Sequence, residues 1–355
     1  MVLKLANSRD VGNIESVPSL LDDFLNQYIN KTQSLEFAEQ ENKLVHPQDG
    51  MFIKDGSNSF KVHLIFHIPK SFLNTFLGLI YVGQREVAVM SPEQKSGLKF
   101  LGSEDATTCH IIVIINQKSR LTALAHLDSV SKKGLDRMCH KLLSNNDKKD
   151  ELIINIFGGY EDENDISEEL STDLLKYLIR SEYNFALDYC VIGAFNTSFG
   201  DEKSKSKYPR PMIYGVAVNV DSGEIFKAEF PDHGPDDVLR HVRLSFRSFE
   251  SYEQYYSLRD EFYEDFDNET GEFTIQPFTF SNNSANCSFI LKCPDKYILE
   301  NMSTSPKVEP KNFCSGMRSA VKMVLDHPDP SLSMFPGNKT RRYIFEENNQ
   351  WVHQK

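Results

Sequence analysis

Two apolar runs, HIIVIIN (110–116) and LTALAHLD (121–128), stand four residues apart, and no other feature of the chain limits its fold so tightly. The first run is almost continuously β-branched and reads as a buried strand. Gln117 to Arg120 form the loop, so the pair reads as an antiparallel hairpin in which residue 116 pairs with 121. That register sets Ile111 opposite His126 and Cys109 opposite Asp128. Side chains alternate faces along a strand, so Cys109, His126 and Asp128 then share one face, with Cys109 and His126 as diagonal neighbours. A two-residue loop keeps this parity. A three-residue loop would put the cysteine and histidine on opposite faces.

The pairing matters for chemistry. A free thiol is mostly protonated at neutral pH, and an imidazolium beside it stabilises the thiolate. The same histidine can later give its proton to a leaving group. Ser103, six residues before the cysteine, is placed to orient the histidine through its hydroxyl. Backbone amides at the turn into the strand are candidates for an oxyanion site. The bland alternative, a small core residue beside a strand, stays open for Cys109 on this reading. His110 points to the other face. Cys139 and Cys190 sit in apolar patterns and read as core. No cysteine or histidine has the spacing or number of partners that a zinc site needs, so no metal is expected.

Further strand patterns lie at 61–68, 79–90, 151–159 and 212–220, with helical patterns at 17–29, 132–145, 167–183 and 315–328. Strands then helices, with hairpin-like pairs among them, indicate an α+β domain on a largely antiparallel sheet. Neither a GxGxxG turn nor a Walker A sequence is present, which argues against a doubly wound nucleotide fold. The stretch 200–211 reads as a charged loop. The acidic, aromatic-rich stretch 247–273 reads as a solvated surface insert or a partner-binding face.

A chain of 355 residues with 40% apolar content is long enough for one large core. The formal charge of −12 argues against nucleic-acid or anionic-membrane partners and favours ones that are cationic or carry a free amine. Six cysteines without a CxxC spacing indicate a reducing compartment. The longest apolar region, 72–82, is interrupted by Asn74 and Thr75, so no membrane span is expected. Cytosol, with access to the nucleus, is the expected location.

Several longer blocks go further: YVGQREVAVMSP (81–92), LGSEDATTCHIIVI (101–114), YGVAVNVDSGEIFKAEFPDHGPDDVLR (214–240), ILENMSTSPKVEP (298–310) and HPDPSLSMFPGNK (327–339). Together they resemble the protein N-terminal asparagine amidohydrolase family. The resemblance implies that the cysteine of ATTCH, Cys109, is the nucleophile and that His126, 17 positions later, is the catalytic histidine. The same spacing, followed by paired glycines like Gly158 and Gly159, is more distantly similar to bacterial chemoreceptor glutamine deamidases. That likeness implies an α/β/β sandwich, shared with cytotoxic necrotising factor toxins, and places Ser103 third in the triad.

The resemblance further implies a substrate protein with a free N-terminal Asn, converted to Asp without a cofactor, and partners in the N-degron pathway of ubiquitin-dependent degradation. Restriction to the first residue calls for a carboxylate that reads the α-ammonium. Glu86 and Asp105 are the candidates, with Glu104 third. The expected division is an N-terminal helical extension at 1–50 and a catalytic domain at 51–345, with the surface insert at 247–273. The N-terminal seventy or so residues look longer than in the animal enzymes, and the insert looks enlarged. A thiol deamidase or acyl-transfer enzyme acting on internal Gln or Asn, or a non-catalytic binding module, are the alternatives.

Overall fold

The computed structural model describes residues 78–354 apart from 95, 144–147, 200–207 and 281–283, together with short segments at 4–5, 53–54 and 60–61. The expected helix at 17–29 and the expected strand at 61–68 beyond Lys61 lie outside the described residues.

The strands that carry the site come early: β1 (Leu79–Tyr81), β2 (Val87–Met90), β3 (Phe100–Ser103), β4 (His110–Asn116) and β5 (Thr122–Leu127). Helix α1 (Lys132–Leu142), strand β6 (Glu151–Gly158), helix α2 (Ile166–Arg180) and strand β7 (Asn184–Ile192) follow. The second half holds β8 (Val216–Asn219), β9 (Ile225–Lys227), α3 (Asp237–Phe246), α4 (Tyr252–Arg259) and β10 (Glu272–Ile275). It closes with α5 (Ser284–Lys292), α6 (Asp295–Met302), α7 (Phe313–Asp326), β11 (Arg341–Phe345) and β12 (Trp351–Gln354).

The hairpin of β4 and β5 has the expected register, with Ile111 opposite His126. Its four-residue loop is held by Asn116, whose Oδ1 accepts from the backbone N–H of Lys118 at 2.8 Å and of Ser119 at 2.9 Å. Arg120, at φ 63°, supplies the left-handed residue that returns the chain, and Asn116 N–H donates to Leu121 O at 2.9 Å. The main sheet runs β7-β6-β4-β5-β2, with the segment Lys4–Leu5 on the outer edge of β7. Only the pairs on either side of β7 are parallel; the rest are antiparallel. A second sheet, β9-β8-β3-β1, stacks on the main one, and β10-β11-β12 form a third.

Alternation along β4 sorts the core into two layers. Ile112 and Ile114 pack with Leu135, Met138, Leu174 and Leu178 of α1 and α2. Ile111, Val113 and Ile115 pack instead against Leu101, Val216 and Val218 of the second sheet. The expected α+β sandwich is therefore observed, helices on one face of the main sheet and a second sheet on the other. Each of these fully buried branched side chains stabilises the fold by roughly 1.5–3 kcal/mol relative to exposure, which fixes the parity of the hairpin. A one-residue slip would move every one of them to the wrong layer.

The stretch 79–90 differs from its sequence reading. It is two strands in different sheets, because the chain turns at Gly83 to Glu86 to cross from the second sheet to the main one. Glu86 N–H donates to Gly83 O at 3.0 Å, and Glu86 Oε2 accepts from Gly83 N–H at 2.8 Å. The stretch 247–273 is also divided. Tyr252 and Tyr256 on α4 are exposed, but Phe262, Asp265 and Phe266 are buried. Among the described residues no helix is long and apolar enough to cross a membrane.

Candidate active site

The parity of β4 and β5 turns Ile111 and Leu124 toward the second sheet, and His126 follows Leu124 on that face. Ser103, the last residue of β3, approaches from the second sheet. Its Oγ lies 2.8 Å from His126 Nδ1, both groups being buried. His126 Nε2 is buried without a partner among the described residues. Nδ1–H donating to Ser103 Oγ leaves Nε2 as the free basic nitrogen.

Cys109, one residue before β4, lines the same cavity of about 420 Å³ as His126. All six cysteines are free, and Cys109 is half-buried where the other five are buried. Cys139 and Cys190 belong to the core layer beneath the helices, as their apolar settings indicate. Burial, then the charges of Asp128 and Glu309, push the Cys109 thiol well above its ordinary value. Burial holds the His126 imidazole down to about 4. The resting pair is therefore a neutral thiol and a neutral imidazole at physiological pH.

Glycine fixes where the cysteine sits. A Cβ on Gly158, at φ 107°, would stand 2.4 Å from the carbonyl oxygen of Cys109, so only glycine permits the end of β6 to lie there. Gly159 N–H then donates to that same oxygen at 2.8 Å. From the other side, Thr108 Oγ1 meets Thr304 Oγ1 at 2.9 Å and Thr107 Oγ1 lies 2.7 Å from Ser305 Oγ. His110 does face the opposite layer, with Nε2 2.7 Å from Ser171 Oγ on α2.

The cavity wall is strongly acidic: Glu86, Glu104, Asp105, Asp128, Asp237 and Glu309 all line it. They are not equivalent. Glu86 is committed to a buried ion cluster, accepting from Arg240 Nε at 3.0 Å and from Arg243 at 2.8 Å. Arg243 also grips Asp265 through two bonds of 2.6 and 2.7 Å. Burial alone would push the Glu86 carboxyl up, but the two guanidinia outweigh it and hold it below the usual range. Glu104 is likewise occupied, by Phe230 N–H at 2.8 Å and His233 Nε2 at 2.9 Å. Burial works against a charged His233, yet Asp237 and Glu104 raise it to about 10, so it is an imidazolium. Tyr81 stacks on it, with ring centroids 4.1 Å apart.

Among the described residues no cation pairs directly with Asp105, which has a hydrogen bond from Asn312 and the His233 imidazolium farther off. Burial, and next the Glu104 carboxylate, push its carboxyl up to about 7. Glu309 is similar: burial raises it against hydrogen bonds from Ser303 and Ser305. Sequence reasoning assigned no role to Glu309, His233 or Arg240. All three fall inside the blocks that carry the family resemblance, but they reach the cavity beside Cys109 only through folding across more than a hundred residues.

The sequence profile of the family described as protein N-terminal asparagine amidohydrolase matches residues 71–353. A protein of that name from Sus scrofa is 34% identical over 277 residues, which covers 77% of this chain and 83% of the relative. The one from Homo sapiens is 34% identical over 278 residues, with the same coverage. The one from Arabidopsis thaliana is 29% identical over 291 residues, covering 77% of this chain and 80% of the relative.

Proposed function

The chain belongs to the protein N-terminal asparagine amidohydrolase family, and from that premise we propose that it deamidates N-terminal asparagine with Cys109 as the nucleophile. The supporting observation is the Ser103 to His126 contact of 2.8 Å beside a cavity that also holds the one half-buried cysteine, Cys109. His126 Nε2 takes the thiol proton as Cys109 Sγ attacks the side-chain carboxamide carbon. The backbone N–H of Cys109, at the turn into β4 on the cavity wall, receives the oxyanion. The resulting imidazolium gives its proton to the departing ammonia, leaving a thioester. Neutral His126 then activates water, which attacks the thioester, regenerates the thiol and leaves N-terminal aspartate.

Neutral starting groups suit this cycle. Proton transfer from thiol to imidazole happens inside the site, so it needs no free thiolate and is insensitive to bulk pH wherever His126 is neutral, above about pH 4. Ser103 is a positioning residue that keeps the histidine in the required tautomer.

Asp105 is the proposed reader of the substrate's α-ammonium. Glu86 and Glu104 already hold cations or backbone donors in direct contact, while Asp105 faces the cavity with only a hydrogen bond from Asn312 and the more distant His233 imidazolium to offset its charge. An arriving ammonium supplies the missing counter-ion and draws the carboxyl into its ionised form. The aspartate product is the kind of N-terminus that is arginylated, so the proposed cellular role is in the N-degron route, in cytosol or nucleus. Six free cysteines accord with a reducing compartment.

Mass spectrometry of two peptides tests the reading, one starting with free asparagine and one acetylated. A gain of about one dalton on the free peptide alone is expected. Equal gain on both would mean a deamidase of internal side chains, and none on either would reject the enzyme.

A further inference from the structure

A substrate held by its first residue must lead the rest of its polypeptide out of the cavity, and one wall continues in a suitable direction. Asp128, Leu244 and Ser245 line both the acidic cavity and a second groove of about 300 Å³. We propose that this groove, bounded by Arg247, Phe249, Tyr255 and Tyr263, binds the substrate chain downstream of its N-terminal asparagine and favours an acidic side chain there. The proposal rests on the function given above.

Charge changes sign along the path. The cavity carries six carboxylates against the cations Arg240 and His233, whereas the groove carries Arg85 and Arg247 with Asp128 at the shared lip. Asp128 already has Arg85 at 4.0 Å and the Gln84 amide at 3.1 Å. Arg247 has no carboxylate partner among the described residues. Its guanidinium instead lies over two rings, 5.9 Å from the centroid of Phe249 and 5.8 Å from that of Tyr263. Phe249 is braced edge-on by Tyr255 at 5.1 Å. A guanidinium laid on rings keeps its in-plane N–H groups available, and these match a carboxylate in a two-pronged pairing. The aromatic walls suit the backbone and apolar side chains of an extended peptide. A chain with an ammonium at one end and a carboxylate a few residues on therefore complements cavity and groove together. The aromatic-rich stretch 247–273, unexplained by the chemistry at Cys109, supplies Arg247 and all three rings.

The test compares peptides that begin with asparagine: a tripeptide amide, and octapeptides with Glu or Lys placed in turn at positions two to five. Wild-type protein is expected to prefer Glu over Lys by roughly tenfold in kcat/KM at one or two of these positions, through KM rather than kcat. Arg247→Ala should erase the preference and Arg247→Glu reverse it, with a much smaller change on the tripeptide amide, which carries no charged side chain there. Indifference of the active wild type to downstream charge, or a preference that survives Arg247→Ala, would overturn the proposal. So would an equal loss on short and long peptides, which marks a structural role. A wild type inactive on every asparagine peptide would instead reject the function on which the proposal rests.

Discussion

Ser103 and His126 come from different sheets, and the 2.8 Å contact between Oγ and Nδ1 joins the two layers of the sandwich at the point where Cys109 enters its strand. Ser103 ends β3 and His126 lies near the end of β5, so neither local sequence nor one sheet alone brings them together. The proposed chemistry depends on that junction. Ser103→Ala should lower kcat roughly 10- to 100-fold by freeing the imidazole to rotate, with KM little changed. Steady-state kinetics, with circular dichroism to verify folding, checks this.

Gly158 governs the placement of the nucleophile. At φ 107°, with a Cβ position 2.4 Å from Cys109 O, Gly158→Ala must move either β6 or the cysteine. A stability loss of about 1–3 kcal/mol is expected, with a fall in kcat larger than Ser103→Ala causes. Thermal denaturation and kinetics on the same preparation would read both.

The acid side of the pH profile should belong to Asp105. Its carboxyl, pushed up to about 7, reads an ammonium only when ionised. As pH falls through that value the proton is taken up and the ion pair is lost, so kcat/KM should decline below about pH 7. In kcat the limb should lie lower, because bound ammonium stabilises the carboxylate. Asp105→Asn should depress kcat/KM and remove this limb, leaving a plateau down toward pH 4, where His126 becomes protonated. On the alkaline side, kcat/KM should fall near pH 8 as the peptide's own α-ammonium deprotonates.

Glu86 should behave differently. Its carboxylate pairs with two buried guanidinia, and Glu86→Gln leaves them under-compensated. The expected result is a stability loss of about 3–5 kcal/mol, read as a lower denaturant midpoint. Discrimination between free and acetylated peptides should survive in whatever fraction stays folded. Loss of that discrimination without loss of stability would make Glu86, rather than Asp105, the ammonium reader.

The β4–β5 hairpin was legible in the sequence because its signals are local: two apolar runs, a four-residue loop and period-2 alternation. The parity of Cys109 and His126 followed from it, and the same alternation assigned His110 to the helix side. The helices expected at 132–145, 167–183 and 315–328 are α1, α2 and α7, within a few residues at each end. The stretch 79–90 misled, since its apolar pattern continues across a turn that Glu86 closes with its own side chain. The commitment of Glu86 to Arg240 and Arg243 was equally invisible, because those partners lie more than 150 residues away. A carboxylate's availability is decided by tertiary partners, and a single sequence carries no signal for them. The buried half of 247–273 was hidden for the same reason, as Asp265 reads as one more surface acid until Arg243 is found against it.

The most direct measurement is the mass of an asparagine-initiated peptide after incubation with wild-type protein, Cys109→Ala and His126→Ala, each shown to be folded. A gain of about one dalton with wild type, and none with either variant beyond the uncatalysed control, is expected. A Cys109→Ala protein that still adds the dalton at the wild-type rate would contradict the account at its centre.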